Sequence, residues 1–202
     1  MRIIAGSRAR TVLLPPEGMT TRPITDRVKE NLFNILMPVV EGAVVADLFC
    51  GTGSLGLEAL SRGAALAVMA DNDRSALERL RKNVEKCRFE EQCRIFKADI
   101  FKTGIPGGLG VSPKIEELGP EAQATLCNLV FVDPPYRFAV QTGRDSQLGL
   151  LLQKIAGQVS DRGLVVVRNE RGDELQGQYG SLHQQDRREY GGMALTFFEN
   201  LQ

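Results

Sequence analysis

The segment Asp47-Leu48-Phe49-Cys50-Gly51-Thr52-Gly53-Ser54-Leu55-Gly56 constrains the fold of this chain more than any other. It follows the apolar run Ala43-Val44-Val45-Ala46 and precedes Leu57-Glu58-Ala59-Leu60, which is helical in character. That order reads as strand, glycine-rich turn, helix, with Gly51, Gly53 and Gly56 at the G-x-G-x-x-G spacing. The spacing alone is a weak signal. Its physical meaning is a tight turn that lets backbone approach a ligand closely. Asp71 lies twenty residues after Gly51, at the end of the apolar run Leu66-Ala67-Val68-Met69-Ala70. A carboxylate there can accept from both hydroxyls of a ribose. The same layout serves nicotinamide dinucleotides and S-adenosylmethionine (SAM). Asp47 favours SAM, because an acid ahead of the glycines meets a cationic amino-acid end and repels a pyrophosphate. Asp99 follows Cys93-Arg94-Ile95-Phe96-Lys97-Ala98, a third strand end, and can accept from an adenine amino group. The expected cofactor-binding set is Asp47, Phe49, Gly51, Gly53, Asp71, Asn72, Asp99 and Ile100. For Asp73 and Asp99, helix capping is the simpler reading of each taken singly.

A second motif, Asp133-Pro134-Pro135-Tyr136, follows the apolar run Leu129-Val130-Phe131-Val132. It places a carboxylate, two prolines and an aromatic ring where a central strand ends, which is where open α/β sheets bind ligands. The prolines donate no backbone hydrogen bond, so the strand must stop. Carbonyl oxygens and Asp133 then act as acceptors, and Tyr136 offers a flat stacking face. A planar group bearing an exocyclic NH2 fits that set. A proline turn with Tyr136 as packing is the plain alternative for the tetrapeptide alone.

Taken together, these segments resemble those of the bacterial RsmD-type enzymes, SAM-dependent guanine-N2 methyltransferases of small-subunit (16S) ribosomal RNA. The resemblance rests on Met1-Arg2-Ile3-Ile4-Ala5-Gly6-Ser7, on the run Arg22 to Glu30 with Leu32-Phe33-Asn34, on the glycine turn through Ala64, and on Asp133 to Tyr136. Tyr190-Gly191-Gly192 before a last strand also fits. It covers nearly the whole chain apart from residues around 104–125. The tetrapeptide occurs across amino-methylating enzymes; the Arg22 to Glu30 run narrows the match. The resemblance implies a Rossmann-like α/β fold with a mostly parallel sheet, an antiparallel last strand and an N-terminal β-hairpin. It implies Asp133, Pro134 and Tyr136 as catalytic residues. It also implies Pro135, Arg8, Arg10, Arg22 and Arg27 as substrate contacts.

The 202 residues suffice for one α/β core, expected as a single domain: a hairpin and loop over 1–24, a core over 25–202 and a Gly/Pro-rich insertion at about 104–125. Cys50, Cys87, Cys93 and Cys127 form no C-x-x-C pair and there is one histidine, His183, so neither a metal site nor a disulfide framework is expected. No apolar run reaches membrane-span length and no signal peptide is evident, which points to the cytoplasm. A net charge of zero argues mildly against nucleic acid. Residues 1–30 nevertheless carry six basic residues against three acids. Structural pairing of Arg22 and Arg27 with nearby acids is the alternative to RNA contact.

Along the chain, residues 1–14 read as a hairpin and Pro15-Pro16-Glu17-Gly18 as a loop. Thr25-Asp26 caps a helix running to about Val39. Strands are expected at 43–48, 66–70, 93–98, 127–132, 163–168, 178–184 and 193–199. Helices are expected at 54–62, 74–87 and 147–159, with a short one conceivable at 113–118.

The expected chemistry is displacement of the SAM methyl by an amino nitrogen, giving S-adenosylhomocysteine. Asp133 and the Pro134 carbonyl would accept from the amine while Tyr136 stacks on a base that has left its helix. No metal and no tuned general base are required. The expected partner is 16S rRNA or a small-subunit assembly particle, and the expected state is a monomer. Two other readings stay open: methylation of adenine, protein glutamine or a small molecule, and a non-catalytic RNA-binding or assembly protein that keeps the fold.

Overall fold

Strand parity organises the molecule. In a strand, successive side chains face opposite sides of the sheet. Val45, Ala67, Met69, Leu129, Phe131, Val166 and Phe197 share one buried cluster. Their neighbours Ala46, Ala70, Val130, Val132, Val165, Val167 and Phe198 share the other. Both faces are therefore covered, as a parallel sheet requires. The computed structural model describes residues 1–16, 24–106, 126–135, 138 and 140–202.

The strands are β1 (Val44–Leu48), β2 (Leu66–Asp71), β3 (Cys93–Lys97), β4 (Cys127–Val132), β5 (Val159–Glu170), β6 (Gln178–Tyr179), β7 (Leu182–Tyr190) and β8 (Met193–Asn200). They form one sheet in the order β3-β2-β1-β4-β5-β8-β7-β6. The pairings among β1 to β5 are parallel, and β8 runs antiparallel between β5 and β7. The order reverses beside β1, where β2 lies on one side and β4 on the other, and that crevice is where such sheets bind ligands.

The described helices are α1 (Asp26–Ile35), α2 (Met37–Val40), α3 (Ser54–Ser61), α4 (Arg74–Cys87), α5 (Ile100–Thr103) and α6 (Gln147–Ala156). Thr25 caps α1 by accepting from the Val28 amide. Asp73 caps α4 by accepting from the Ser75 and Ala76 amides, so the capping reading holds for that acid. The helix expected over 25–39 breaks at Leu36, because Pro38 has no N–H to continue the ladder. The expected strand at 178–184 is instead a short β6 and a nine-residue β7. The unbroken charged run Asp186-Arg187-Arg188-Glu189 hid the second half, since that strand is only half buried.

The N-terminal hairpin is less regular than expected. It reduces to a single antiparallel bridge, Arg2 to Val12, with Ile3 and Arg10 or Thr11 exchanging backbone bonds. Side chains of the core hold it in place. Glu58 of α3 accepts from the amides of Ile4 (2.7 Å) and Ala5 (3.1 Å). Glu58 also pairs with Lys29 of α1 at 3.3 Å and with Arg62 at 2.8 Å. Lys29 in turn donates to the Arg2 carbonyl and to Ser54 Oγ. Lys29 and Glu58 are both fully buried, so burial pushes the lysine pKa down while Glu58 opposes the shift. The segment from 1 to 13 is thus bolted over α3, beside the glycine turn. All four cysteines are free and buried.

Candidate active site

The carboxyl ends of β1, β2, β4 and β5 put four charged side chains on one face. Asp47 pairs in register with Met69 on one side and with Phe131 on the other. Asp71 stands two residues past Met69, and Asp133 two past Phe131, so parity turns all three acids to the same side. Val132 pairs with Val167, so the next position along sets Asp133 beside Arg168. Their side chains meet: Arg168 Nε lies 2.6 Å from Asp133 Oδ1. A cavity at this edge is lined by Asp47, Phe49, Gly51, Ser54, Asp133, Pro134 and Arg168, and roofed by Met1, Pro16 and Ile24 of the N-terminal segment.

The turn after β1 holds the acids. Phe49 has φ 62°, uncommon for a residue with a side chain, and Gly51 and Gly53 have φ 53° and 85°. A Cβ on Gly53 would fall 2.3 Å from Leu80 Cδ1, so glycine there lets the turn pack on α4. A Cβ on Gly51 would meet nothing within 4 Å, which leaves that side of the turn open to a ligand. Asp71 Oδ2 accepts from the Gly51 amide at 2.8 Å and Oδ1 from the Asp73 amide at 2.9 Å. The acid read as a ribose acceptor therefore also shapes the turn. Each of its oxygens retains a lone pair for a hydroxyl.

Asp47 is 2% exposed, and its Oδ2 accepts from the Gly56 amide at 2.8 Å. No ion pair to it exists among the described residues. Burial, together with Asp133 and Asp71, pushes its pKa up to about 7 against the pull of the Gly56 amide. A carboxylate so placed is suited to an incoming cation. Asp133 is raised as well, first by burial and further by Asp71, while Arg168 pulls the other way.

The remaining sequence candidates divide. Asn72 is exposed just past Asp71, and Ile100 is buried at the start of α5. Asp99 does not cap α5 with its side chain; it pairs with Lys102 at 3.2 Å and is half exposed. Phe49 packs on Phe101 (5.1 Å between rings), which packs on Phe138 (4.7 Å), an aromatic row beside the cavity. Pro135 follows Pro134 at the β4 end. Arg8 is turned away from solvent in part: its Nε donates to the Cys87 carbonyl at 2.6 Å and its guanidinium lies over Phe89. Arg10 and Arg27 are exposed. Structural pairing of α1 falls to Arg2 with Asp26 and to Lys29 with Glu58, and Arg27 makes no ion pair among the described residues. Arg22, Tyr136, the loop from 17 to 23, most of the Gly/Pro-rich segment and the possible helix at 113–118 lie outside the described residues. Arg168 was missed from sequence. The signal was available: it is a cation closing the apolar run Leu164-Val165-Val166-Val167, on the same parity as Val166.

Fold and site define a Rossmann-like methyltransferase of the SAM-dependent class, with an acid-proline-proline edge at the end of β4. The chain belongs to the family described as Conserved hypothetical protein 95, which matches residues 1–199, and this is the RsmD-type family the motifs resemble. The Bacillus subtilis protein YlbH is 31% identical over 201 residues, 98% of each chain. The ribosomal RNA small subunit methyltransferase D of Escherichia coli K12 is 34% identical over 170 residues, covering 84% of this chain and 75% of that protein. Among solved structures, Escherichia coli yhhF superposes with a TM-score of 0.77 at 31% identity, covering 100% of this chain and 98% of its own. An RNA methyltransferase from Salinibacter ruber, in complex with S-adenosylhomocysteine, shares the fold (TM-score 0.60, 16% identity, 90% of this chain and 95% of that one).

Proposed function

We propose that this protein methylates the exocyclic N2 amino group of a guanine in 16S rRNA, using SAM. The observation that carries this reading is the meeting of Asp133 and Pro134 with Asp47 and the glycine turn in one cavity. The relatives named as small-subunit rRNA methyltransferases support the substrate class.

The residues fit SAM on three counts. Asp47 is buried with no cationic partner among the described residues, which suits the ammonium of the amino-acid end. The Gly51 side of the turn is open for close backbone approach, and Asp71 keeps acceptor capacity for the ribose. Bound there, SAM supplies a methyl group already activated on a sulfonium.

The chain's part is to position and polarise the amine. Guanine N2 is a poor nucleophile because its lone pair is delocalised into the ring. Asp133 and the Pro134 carbonyl, accepting its two N–H bonds, draw that pair out of conjugation and aim it. Tyr136 would hold the base by stacking, which for single-stranded bases contributes about 1–3 kcal/mol. Met1, Pro16 and Ile24 of the N-terminal segment add apolar lining to the cavity, beside which each electrostatic contact is stronger than in bulk water. The methylated nitrogen carries an acidic proton that leaves without a tuned base. The target base must leave its stack to enter.

The test is incubation of the purified protein and methyl-labelled SAM with 16S rRNA and small-subunit particles lacking the modification, followed by nucleotide mapping. Label on the N2 of a discrete guanine is expected. Label on adenine, on ribosomal protein, or on neither substrate contradicts the reading.

A further inference from the structure

We propose that Arg168 is the positioning residue of the reaction: through its ion pair it holds the Asp133 carboxylate ionised and turned as an acceptor for the substrate amine. This rests on the role given to Asp133 under the function proposed above.

The geometry is specific. Arg168 extends from β5 and Asp133 from the end of β4, and the parallel register sets them side by side. The contact is 2.6 Å from Nε to Oδ1, with the arginine side chain 10% exposed and the aspartate 23%. Both line the cavity that also holds Asp47 and Pro134. Arg168 Nη1 is buried with no hydrogen-bond partner among the described residues. A guanidinium buried beside an apolar strand and short of one partner is costly to keep. Among the described residues its ion pair is with Asp133 alone.

The chemistry explains what that charge accomplishes. A carboxylate only accepts; a carboxylic acid presents one oxygen as a donor. A donor facing the substrate N–H would repel it. Two influences push Asp133 toward the acid form: burial, and the carboxylate of Asp71 on β2; Asp47 on β1 lines the same cavity. Arg168 on β5 is the cation that opposes them. One oxygen taken by Nε also leaves the other to face the cavity, fixing the rotamer that the amine must meet.

The experiment uses the full chain with Arg168→Met and Arg168→Lys. Single-turnover methyl transfer is measured from pH 5.5 to 9, alongside affinity for S-adenosylhomocysteine. For Arg168→Met the rate at neutral pH should fall at least tenfold and recover as pH rises, with the profile moved up by a unit or more. Affinity for S-adenosylhomocysteine should stay within about threefold, and Arg168→Lys should restore most of the rate and move the profile back. A loss of rate that is the same at every pH, or a wild-type profile in Arg168→Met, overturns the proposal. A second measurement needs neither activity nor a folded Met variant: carboxyl 13C NMR of the wild type, with the Asp133 signal assigned by Asp133→Asn. Asp133 ionised at pH 7 is expected, with its titration midpoint higher in Arg168→Lys at matched salt. Asp133 protonated at pH 7 in the wild type overturns the proposal. If the wild-type protein modifies no guanine while the titration behaves as expected, it is the guanine reading that fails and the pairing that stands.

Discussion

Replacing Asp47 by Asn should make the ligand-free protein more stable at pH 8 and less able to bind its cofactor. The carboxyl is buried, and its pKa rises from 3.8 to about 7 on folding. At about 1.4 kcal/mol for each pH unit, that rise corresponds to about 4 kcal/mol of differential stability. The direction follows from linkage. Because the folded-state value lies above the unfolded one, this group's contribution is intact below about pH 4, declines as pH rises towards 7, and stays lost above. Asn keeps an oxygen for the Gly56 amide but brings an NH2 that needs a partner, which costs about 1–3 kcal/mol. The net gain at pH 8 is then about 1–3 kcal/mol, or about 2–12 °C in melting temperature for a chain of this size. At pH 5 the gain should shrink or reverse. Calorimetry should show S-adenosylhomocysteine binding weakened at least tenfold in Asp47→Asn, since a charged hydrogen bond contributes about 1.5–3 kcal/mol. In the wild type that binding should tighten as pH rises through 7, with protons released. The reasoning is refuted if the substitution destabilises equally at pH 5 and pH 8, or if it leaves the affinity unchanged.

Other outcomes follow from the same structure. Glu58→Gln leaves Lys29 buried without its counter-charge, and thermal or urea unfolding should show a loss of about 3–5 kcal/mol. Replacing Arg10 and Arg27 by Ala should weaken RNA binding and lower its salt slope by about one per contact removed, without changing the melting temperature. Arg8→Ala should lower the melting temperature, because Arg8 also ties the N-terminal segment to the end of α4. Tyr136→Phe should retain activity and Tyr136→Ala should lose about 1–3 kcal/mol of base binding, measured as a rise in KM for RNA.

The parts of the fold legible in the sequence were those where local and tertiary signals agree. Asp73 followed by an amphipathic fourteen residues specified α4 to the residue, and the apolar run before Asp133 specified β4 likewise. Of the three acids read at successive strand ends, Asp47 lines the cavity with the glycine turn, while Asp71 braces the turn and Asp99 pairs with Lys102. What stayed hidden depends on pairing across distance. Leu182–Tyr190 is strand because β8 lends it a ladder, while its own charges obscure the alternation. The N-terminal segment takes its shape from Glu58, more than fifty residues away, and so forms no true ladder of its own. Arg168 gained meaning only when the register of β4 and β5 set it beside Asp133. The acid-to-ribose reading of Asp71 was incomplete for a similar reason: its bonds to the Gly51 and Asp73 amides appear only in the folded turn.

The central claim is that Asp133 touches the nucleophile and not the cofactor. It is tested most directly by Asp133→Ala in single-turnover methyl transfer to 16S rRNA, with S-adenosylhomocysteine affinity measured on the same preparation. Loss of one aligned acceptor in a partly dry site is expected to slow transfer about a hundredfold or more while affinity stays within a few-fold of wild type. Near-normal turnover would reduce the acid-proline-proline segment to a turn that ends β4 and would contradict the account.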